Sequence, residues 1–133
     1  MKTKQLLILI AFVAIAFTAK AQVSFSCYYR EYCAWNDALE NYENDCNGYE
    51  EASLFVMNKE ETMFTHTTES LKSTYYVQSK EYDKENEVWT YDVVSDTGKK
   101  YFYIFDPKNN EIRVLADQDN YNTMIRFLVK SIF

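Results

Sequence analysis

The fold of this chain is decided by residues 87–105, which read EVWTYDVVSDTGKKYFYIF. Two runs rich in β-branched and aromatic residues flank a polar segment, Ser95–Lys99, whose Asp-Thr-Gly core is typical of a turn. A type I turn followed by a left-handed Gly98 makes a three-residue loop, and the flanking pair is then Ser95 with Lys99. The stretch therefore predicts a β-hairpin.

The length of this loop decides which residues face each other across the hairpin. Side chains two apart on a strand point the same way, so a three-residue loop places the aromatic residues of both strands on one face. A two-residue loop would shift the register by one residue and bring the opposite face of one strand to these rings. We prefer the three-residue loop, which predicts the pairs Val93 with Tyr101, Tyr91 with Tyr103 and Trp89 with Phe105.

The alternation with a period of two extends over residues 52–133. The connections are short, so consecutive strands are expected to pair as an antiparallel meander of six to seven strands. Several strands are apolar on both faces, which predicts either a sheet covered by a helix or one that curls toward a barrel. Residues 123–133 also fit a helix, although a strand is favoured. The expected strands are 53–58, 61–67, 73–82, 87–95, 99–105, 111–116 and 122–132.

Residues 31–46 follow a helical spacing instead. Their large apolar side chains recur in steps of three and four, and Asn47-Gly48 then supplies residues that end helices. We predict one amphipathic helix in the N-terminal segment 22–50, so the fold class is mainly β with one helix, formally α+β. The apolar stripe of this helix consists of Tyr32, Trp35, Leu39, Tyr42 and Cys46.

The helix constrains the three cysteines, Cys27, Cys33 and Cys46. A continuous helix would hold the Cα atoms of Cys33 and Cys46 about 20 Å apart, whereas a disulfide needs them within about 7 Å. The helix therefore predicts a Cys27–Cys33 bond with Cys46 unpaired. The alternative is a loop closed by a Cys33–Cys46 bond. One histidine and no CxxC spacing predict no metal site.

Residues 1–21 have the three parts of a signal peptide. Lys2 and Lys4 precede an apolar run over residues 6–17, and Ala19-Lys20-Ala21 follows with small residues suited to cleavage. The apolar run has about 12 residues, whereas a membrane-spanning helix needs about 20. We expect cleavage before Gln22 and a single secreted or periplasmic domain, 22–133, without stable membrane insertion.

The acidic balance of residues 22–133 excludes several function classes. They carry 11 basic and 20 acidic side chains, a formal charge of −9, which repels nucleic acid. Only two glycines are present and no nucleotide-binding or hydrolase motif occurs, so we expect no cofactor and no catalysis. His66, the single imidazole, is expected at a half-exposed strand end among threonines.

The aromatic face of the hairpin is the remaining candidate for function, because tyrosine and tryptophan combine apolar area with a polar tip. Its residues are Trp89, Tyr91, Tyr101, Tyr103 and Phe105. Our first hypothesis is a non-catalytic binding domain that engages a protein partner through this face. The alternative is a lipocalin-like carrier that holds a small apolar ligand inside a barrel. A third hypothesis is a hydrolytic enzyme that uses His66. An exposed patch, a cavity or a His66 cleft would separate the three.

Overall fold

A computed structural model describes residues 22–42, 46–116 and 123–133 of the chain. Eight antiparallel strands follow one another in sequence order and form a closed barrel. The predicted signal peptide, residues 1–21, lies outside the described residues. No helix within the described part of the chain is long and apolar enough to span a membrane.

The strands confirm a mainly β fold built as an antiparallel meander. A single turn of 3₁₀-helix, Pro107–Asn109, connects the sixth strand to the seventh. Eight strands are present where six to seven were expected, because the chain from Val23 onward already forms a strand. The strands are β1 Val23–Ala34, β2 Cys46–Met57, β3 Met63–Thr67, β4 Lys72–Asp83, β5 Val88–Ser95, β6 Lys100–Asp106, β7 Glu111–Ala116 and β8 Thr123–Ile132.

The predicted amphipathic helix over 31–46 is wrong. Its first residues end β1 and its last residue begins β2, while Asn36 and Asn41 pair across a turn between them. The described residues contain no α-helix, so the α+β class is wrong as well. β1 pairs with β2 on one side and with β8 on the other, which closes the barrel. Pairing with both neighbours satisfies the backbone N–H and C=O groups on each side of β1.

The disulfide joins Cys33 to Cys46, with a Cα–Cα distance of 4.1 Å. The preferred Cys27–Cys33 pairing is therefore wrong, and the alternative is confirmed. The two bonded cysteines face each other across β1 and β2, which is the arrangement that the helix would have prevented. Cys27 keeps a free, buried thiol within the core cluster, and the bonded pair lies outside that cluster.

The hairpin of β5 and β6 has the register that the three-residue loop predicts. Trp89 pairs with Phe105, Tyr91 with Tyr103 and Val93 with Tyr101. The turn is closed by Ser95 N–H donating to the Lys99 carbonyl at 2.7 Å. Gly98 has a φ of +85°, the left-handed conformation that the loop requires.

The centre of the barrel is filled by aromatic side chains. Phe55 and Phe64 are completely buried, and Phe55 alone contacts five other rings. These neighbours are Phe64, His66, Tyr103, Phe105 and Phe127. Because the middle is packed, only the two ends of the lumen are open to solutes. We call them the Pro107 end, where the 3₁₀ turn lies, and the disulfide end, where the β1–β2 loop begins.

Candidate functional site

The five aromatic residues singled out from the sequence share one face, and this face lines the inside of the barrel. Tyr91, Tyr103 and Phe105 are buried in the core, and Trp89 and Tyr101 are partly buried against it. Closure through β1 and β8 turns this side of the hairpin inward. These five residues therefore do not form an exposed aromatic surface.

A pocket of about 430 Å³ opens at the Pro107 end of the lumen. Three of the five aromatic residues contribute to its walls, and most of its lining is apolar or aromatic. We call it the mouth pocket. Its lining residues are Val23, Phe25, Met57, Asn58, Lys59, Glu61, Trp89, Tyr91, Phe105 and Pro107.

The turn that follows β6 contributes Pro107 to the lining of the mouth pocket. The buried Asp106 accepts hydrogen bonds from the Asn109 backbone N–H at 3.2 Å and from the Asn109 side chain at 2.9 Å, and the Arg113 guanidinium donates at 3.1 Å. Burial by itself would raise the pKa of Asp106, but these hydrogen bonds from Asn109 and Arg113 hold it below its usual range. The ionised Asp106 thus fixes Pro107 at the rim of the pocket.

A second turn carries a charged group to the rim. Glu61 lies between β2 and β3 with a φ of +55°, in the left-handed region. The turn is held by Asn58, whose Oδ1 accepts hydrogen bonds from the backbone N–H groups of Thr62 at 2.9 Å and Met63 at 3.2 Å. The Glu61 carboxylate accepts hydrogen bonds from Lys80 at 2.9 Å and from the Tyr91 hydroxyl at 3.4 Å.

The Tyr91 phenol is kept protonated at this rim. Burial raises its pKa, and the negative charge of Glu61 raises it further. Lys80 also lies over the Trp89 ring, with its Nζ 5.7 Å from the ring centroid. The mouth pocket therefore has aromatic walls and a small, fixed set of hydrogen-bonding groups at its edge.

His66 is buried, which corrects the expectation of a half-exposed strand end. It stacks on Phe55 at 4.0 Å between ring centroids and meets the edge of Phe127 at 4.9 Å. Burial, followed by the positive charge of Arg30, lowers the pKa of His66 to about 3. An imidazole with this pKa is a weak general base at neutral pH.

The Cys27 thiol and the group formed by Glu31, Cys33 and Cys46 offer little catalytic or metal-binding chemistry. Burial raises the pKa of the Cys27 thiol to about 12, with a smaller opposing effect from Ser53, so the thiolate is hardly populated. Glu31, Cys33 and Cys46 are the only potential metal-binding group among the described residues. Their two sulfur atoms are joined in the disulfide, which leaves one carboxylate.

A groove on the outer wall of the barrel was missed by the sequence reasoning. It measures about 630 Å³ and lies between the β1–β2 loop and the outer face of β5 to β8. Trp35 and Tyr42 of the loop contact each other edge to face at 4.9 Å, and Arg126 on the wall pairs with Glu31 at 2.5 Å. The regular spacing of apolar residues in the β1–β2 loop was the sequence pattern that could have indicated this groove, but it was interpreted as a helix.

Most of the mouth pocket was also missed. Residues of β1 and β2 such as Phe25 and Met57 reach it because the barrel closes, and closure brings together strands distant in sequence. No local pattern marked Glu61, one of several acidic residues in polar turns. Comparison of the chain with known protein families, with curated proteins and with solved structures found no match. The barrel and its two ends are therefore the basis for a functional assignment.

Proposed function

We propose that this protein is a non-catalytic, exported binding barrel that holds a small apolar ligand in the mouth pocket. The observation that carries the proposal is the pocket itself, whose volume of about 430 Å³ and aromatic lining fit the usual properties of small-molecule sites. The disulfide between Cys33 and Cys46 supports an oxidising compartment, secreted or periplasmic.

The lining indicates the chemistry of the ligand. Trp89, Tyr91 and Phe105 provide ring faces and edges for an apolar or aromatic body. The Tyr91 hydroxyl, Glu61 and Lys80 lie at the rim, where they would meet a polar group at one end of the ligand. An elongated molecule with an apolar body and one polar end satisfies both regions.

The alternative, a domain that binds a protein partner through the five aromatic residues, has less support. Tyr91, Tyr103 and Phe105 are almost inaccessible, and a docking protein gains little from rings that it cannot touch. The hydrolase hypothesis also has less support, because His66 is neutral, stacked and buried. The carrier hypothesis has more support, because it assigns a role to the aromatic residues at the inward-facing positions that they occupy.

The two tryptophans allow a direct test, because Trp89 lines the mouth pocket and Trp35 lies on the β1–β2 loop. Dibromostearic acid quenches tryptophan emission at contact distance. In a Trp35→Phe variant, we expect saturable quenching of Trp89. In a Trp89→Phe variant, the emission of Trp35 should stay unchanged. Equal quenching of both tryptophans would contradict binding in the mouth pocket.

An occluding substitution provides the matched control. Val23→Trp places a large ring at the edge of the mouth pocket, while Leu71→Trp adds the same ring at an exposed site near the opposite end. Binding of the fluorescent probe phenylnaphthylamine should weaken at least about tenfold in the first variant, equivalent to about 1.4 kcal/mol, and remain unchanged in the second. Absence of saturable binding of both the probe and the fatty acid to the wild-type protein would overturn the proposal.

A further inference from the structure

The disulfide end of the lumen contains four buried polar atoms that have no hydrogen-bond partner among the described residues. They are Nε of Arg30, Oε1 of Glu51, Oγ of Ser53 and Nε2 of His66. Ser53 and His66 are each only 7% exposed. A buried polar group without any partner costs about 1–3 kcal/mol, and less where an ion pair or a weak contact remains, so four such atoms in one region call for a common explanation.

These atoms lie together on the inner faces of three neighbouring strands. Glu51 and Ser53 are two residues apart on β2, so both point inward with Phe55. His66 on β3 is paired with Phe55. Arg30 on β1 lies over the Phe127 ring at 4.8 Å, and the same ring contacts His66. The four atoms therefore belong to one region of the lumen.

The ion pair in this cluster is incompletely hydrogen-bonded. Oε1 of Glu51 lies 2.7 Å from Nη2 of Arg30 but outside the geometry of a hydrogen bond. The Ser53 hydroxyl interacts with the Cys27 thiol, which is a weak partner, and forms no normal hydrogen bond within the described structure. Each group thus retains hydrogen-bonding capacity that faces the lumen.

The charges of the cluster select a neutral occupant. Arg30 and Glu51 compensate each other, and His66 is uncharged at neutral pH. An anion would meet the carboxylates of Glu50, Glu51 and Glu69 at this end, and a cation that reached the cluster would meet the Arg30 guanidinium. The guanidinium only donates, the carboxylate only accepts and the serine does both, so the occupant must carry donors and acceptors side by side. Hydroxyl groups have this property.

A pocket of about 610 Å³ lies at the disulfide end and borders the cluster at Glu51. Its lining residues are Tyr49, Glu50, Glu51, Ala52, Thr68, Glu69 and Ser70. Glu51 belongs to both the pocket and the cluster, and Thr68 follows His66 by two residues. The pocket therefore adjoins the cluster through Glu51.

Two tyrosine rings lie at this end of the barrel, and one of them, Tyr49, lines the pocket. Tyr32 and Tyr49 are stacked with their centroids 6.5 Å apart, and both are exposed. The Tyr32 hydroxyl accepts a hydrogen bond from Nη1 of Arg30 at 3.2 Å, which links the rings to the cluster. Aromatic rings provide an apolar surface on which the C–H face of a sugar ring can stack while its hydroxyls bond to polar groups beside it.

We propose that the disulfide end is a second binding site, which takes a neutral polyhydroxylated ligand such as a sugar. One ring face of the ligand stacks on Tyr49, and its hydroxyls bond to Arg30, Glu51, Ser53 and His66. This site is independent of the mouth pocket, from which the packed aromatic centre separates it. The barrel then has an apolar site at one end and a hydroxyl-binding site at the other.

His66 provides a specific reporter for this site, because it is the single histidine in the chain. Its imidazole resonances are followed by NMR in the full domain during titration with D-glucose, maltose and myo-inositol, each to near its solubility limit. We expect a saturable shift of the His66 resonances with at least one of the three. No shift with any of them would overturn the proposal.

Matched tyrosine variants separate binding from a general solvent effect. Tyr49→Ala removes the stacking ring, and Tyr76→Ala removes a tyrosine of equal exposure, 48% in each case, on β4. The affinity should fall at least tenfold in the first variant and stay unchanged in the second. An equal response of both variants, or crystals soaked in the three compounds that show only water on the four atoms, would also overturn the proposal. Failure here leaves the quenching test at the mouth pocket unaffected.

Discussion

Position 66 places an imidazole where a barrel interior usually holds an apolar ring. Its neighbours Phe55 and Phe127 provide ring contacts to the neutral form, and the nearby Arg30 charge opposes protonation. Folding therefore holds His66 in one protonation state over the whole physiological range. The alternation of Phe64 and His66 on β3 was visible in the sequence, but its direction relative to the core was not.

This burial predicts an acid-sensitive component of stability. The pKa of His66 is about 3 in the folded protein, against about 6.5 in an unfolded chain. Between these values the unfolded chain binds a proton that the native protein does not, so stability is lost as the pH falls from about 6.5 toward 3. The full effect is on the order of 4 kcal/mol.

Urea unfolding of the wild type and of His66→Phe at a series of pH values measures this component. The carboxylates titrate in both proteins, so their contributions cancel in the difference between the two unfolding free energies. We expect the wild type to lose stability relative to the variant as the pH is lowered. Parallel pH profiles would show that His66 titrates normally in the native protein.

At the level of elements, the two glycines have different roles. Gly98 has a φ of +85° and open space around it. An added Cβ would therefore contact no other atom, and its cost would come only from the left-handed backbone conformation, which residues with a side chain disfavour. At Gly48, the third residue of β2, a Cβ would lie 2.6 Å from the Tyr29 ring and 2.7 Å from the Arg30 carbonyl oxygen. The first glycine is required by conformation and the second by close approach of β1.

These roles predict that alanine and asparagine rank differently at the two positions, although every substitution lowers the free energy of unfolding. Gly98→Ala should cost about 1–2 kcal/mol, and Gly98→Asn less, because asparagine tolerates the left-handed region. Gly48→Ala should cost about 1–3 kcal/mol, and Gly48→Asn no less, since a larger side chain meets the same backbone oxygen. Chemical denaturation of the four variants provides the measurement. A Gly48→Asn variant more stable than Gly48→Ala would contradict the steric explanation.

The elements that could be predicted from the sequence are those determined by residues close to one another in the chain. The register of β5 and β6 was accessible because the residues of a tight turn specify it locally, and Gly98 requires one conformation. β1 was not accessible, because it is stabilised by β8, as in the pair of Cys33 with Met124. A spacing of three and four over residues 31–46 was then the only local pattern, and it favoured a helix.

At the scale of the whole molecule, the disulfide cross-links β1 and β2 on the outer face of the barrel. Cys33 and Cys46 close the loop between β1 and β2, and Nη2 of Arg126 lies 3.8 Å and 3.9 Å from their sulfur atoms. The aromatic core is on the other side of the sheet. The barrel should therefore keep its fold without the bond and lose only the restriction that the bond places on the unfolded chain.

We expect a Cys33→Ala, Cys46→Ala double variant to lose about 3 kcal/mol of unfolding free energy, the value for a loop of this length, while its far-UV circular dichroism stays that of a barrel. Cys27→Ala, which leaves the bond intact, is the control and should cost less. A double variant as stable as the wild type would show that the bond contributes nothing. A loss of β structure in the double variant would show that the bond is essential to the fold.

At this scale the candidate site was only partly predictable. The hairpin register brought Trp89, Tyr91 and Phe105 to one face, and these residues do reach the mouth pocket. Whether that face points to solvent or into a lumen depends on closure of β1 against β8, which is a property of the whole chain. The pocket walls from β1 and β2 could not be predicted for the same reason.

The closed ring of strands has a consequence for how this protein can associate with others. Each of the eight described strands has a hydrogen-bonded neighbour on both sides, but the short β3 pairs only with Leu54–Met57 of β2 and with Lys72–Tyr76 of β4. Another polypeptide could therefore extend the sheet only beside the remaining residues of β2 and β4, and elsewhere this common route to fibrils and domain exchange is closed. Away from this notch, an assembly must be made by side chains and turns, which can be changed by mutation without disturbing the strands.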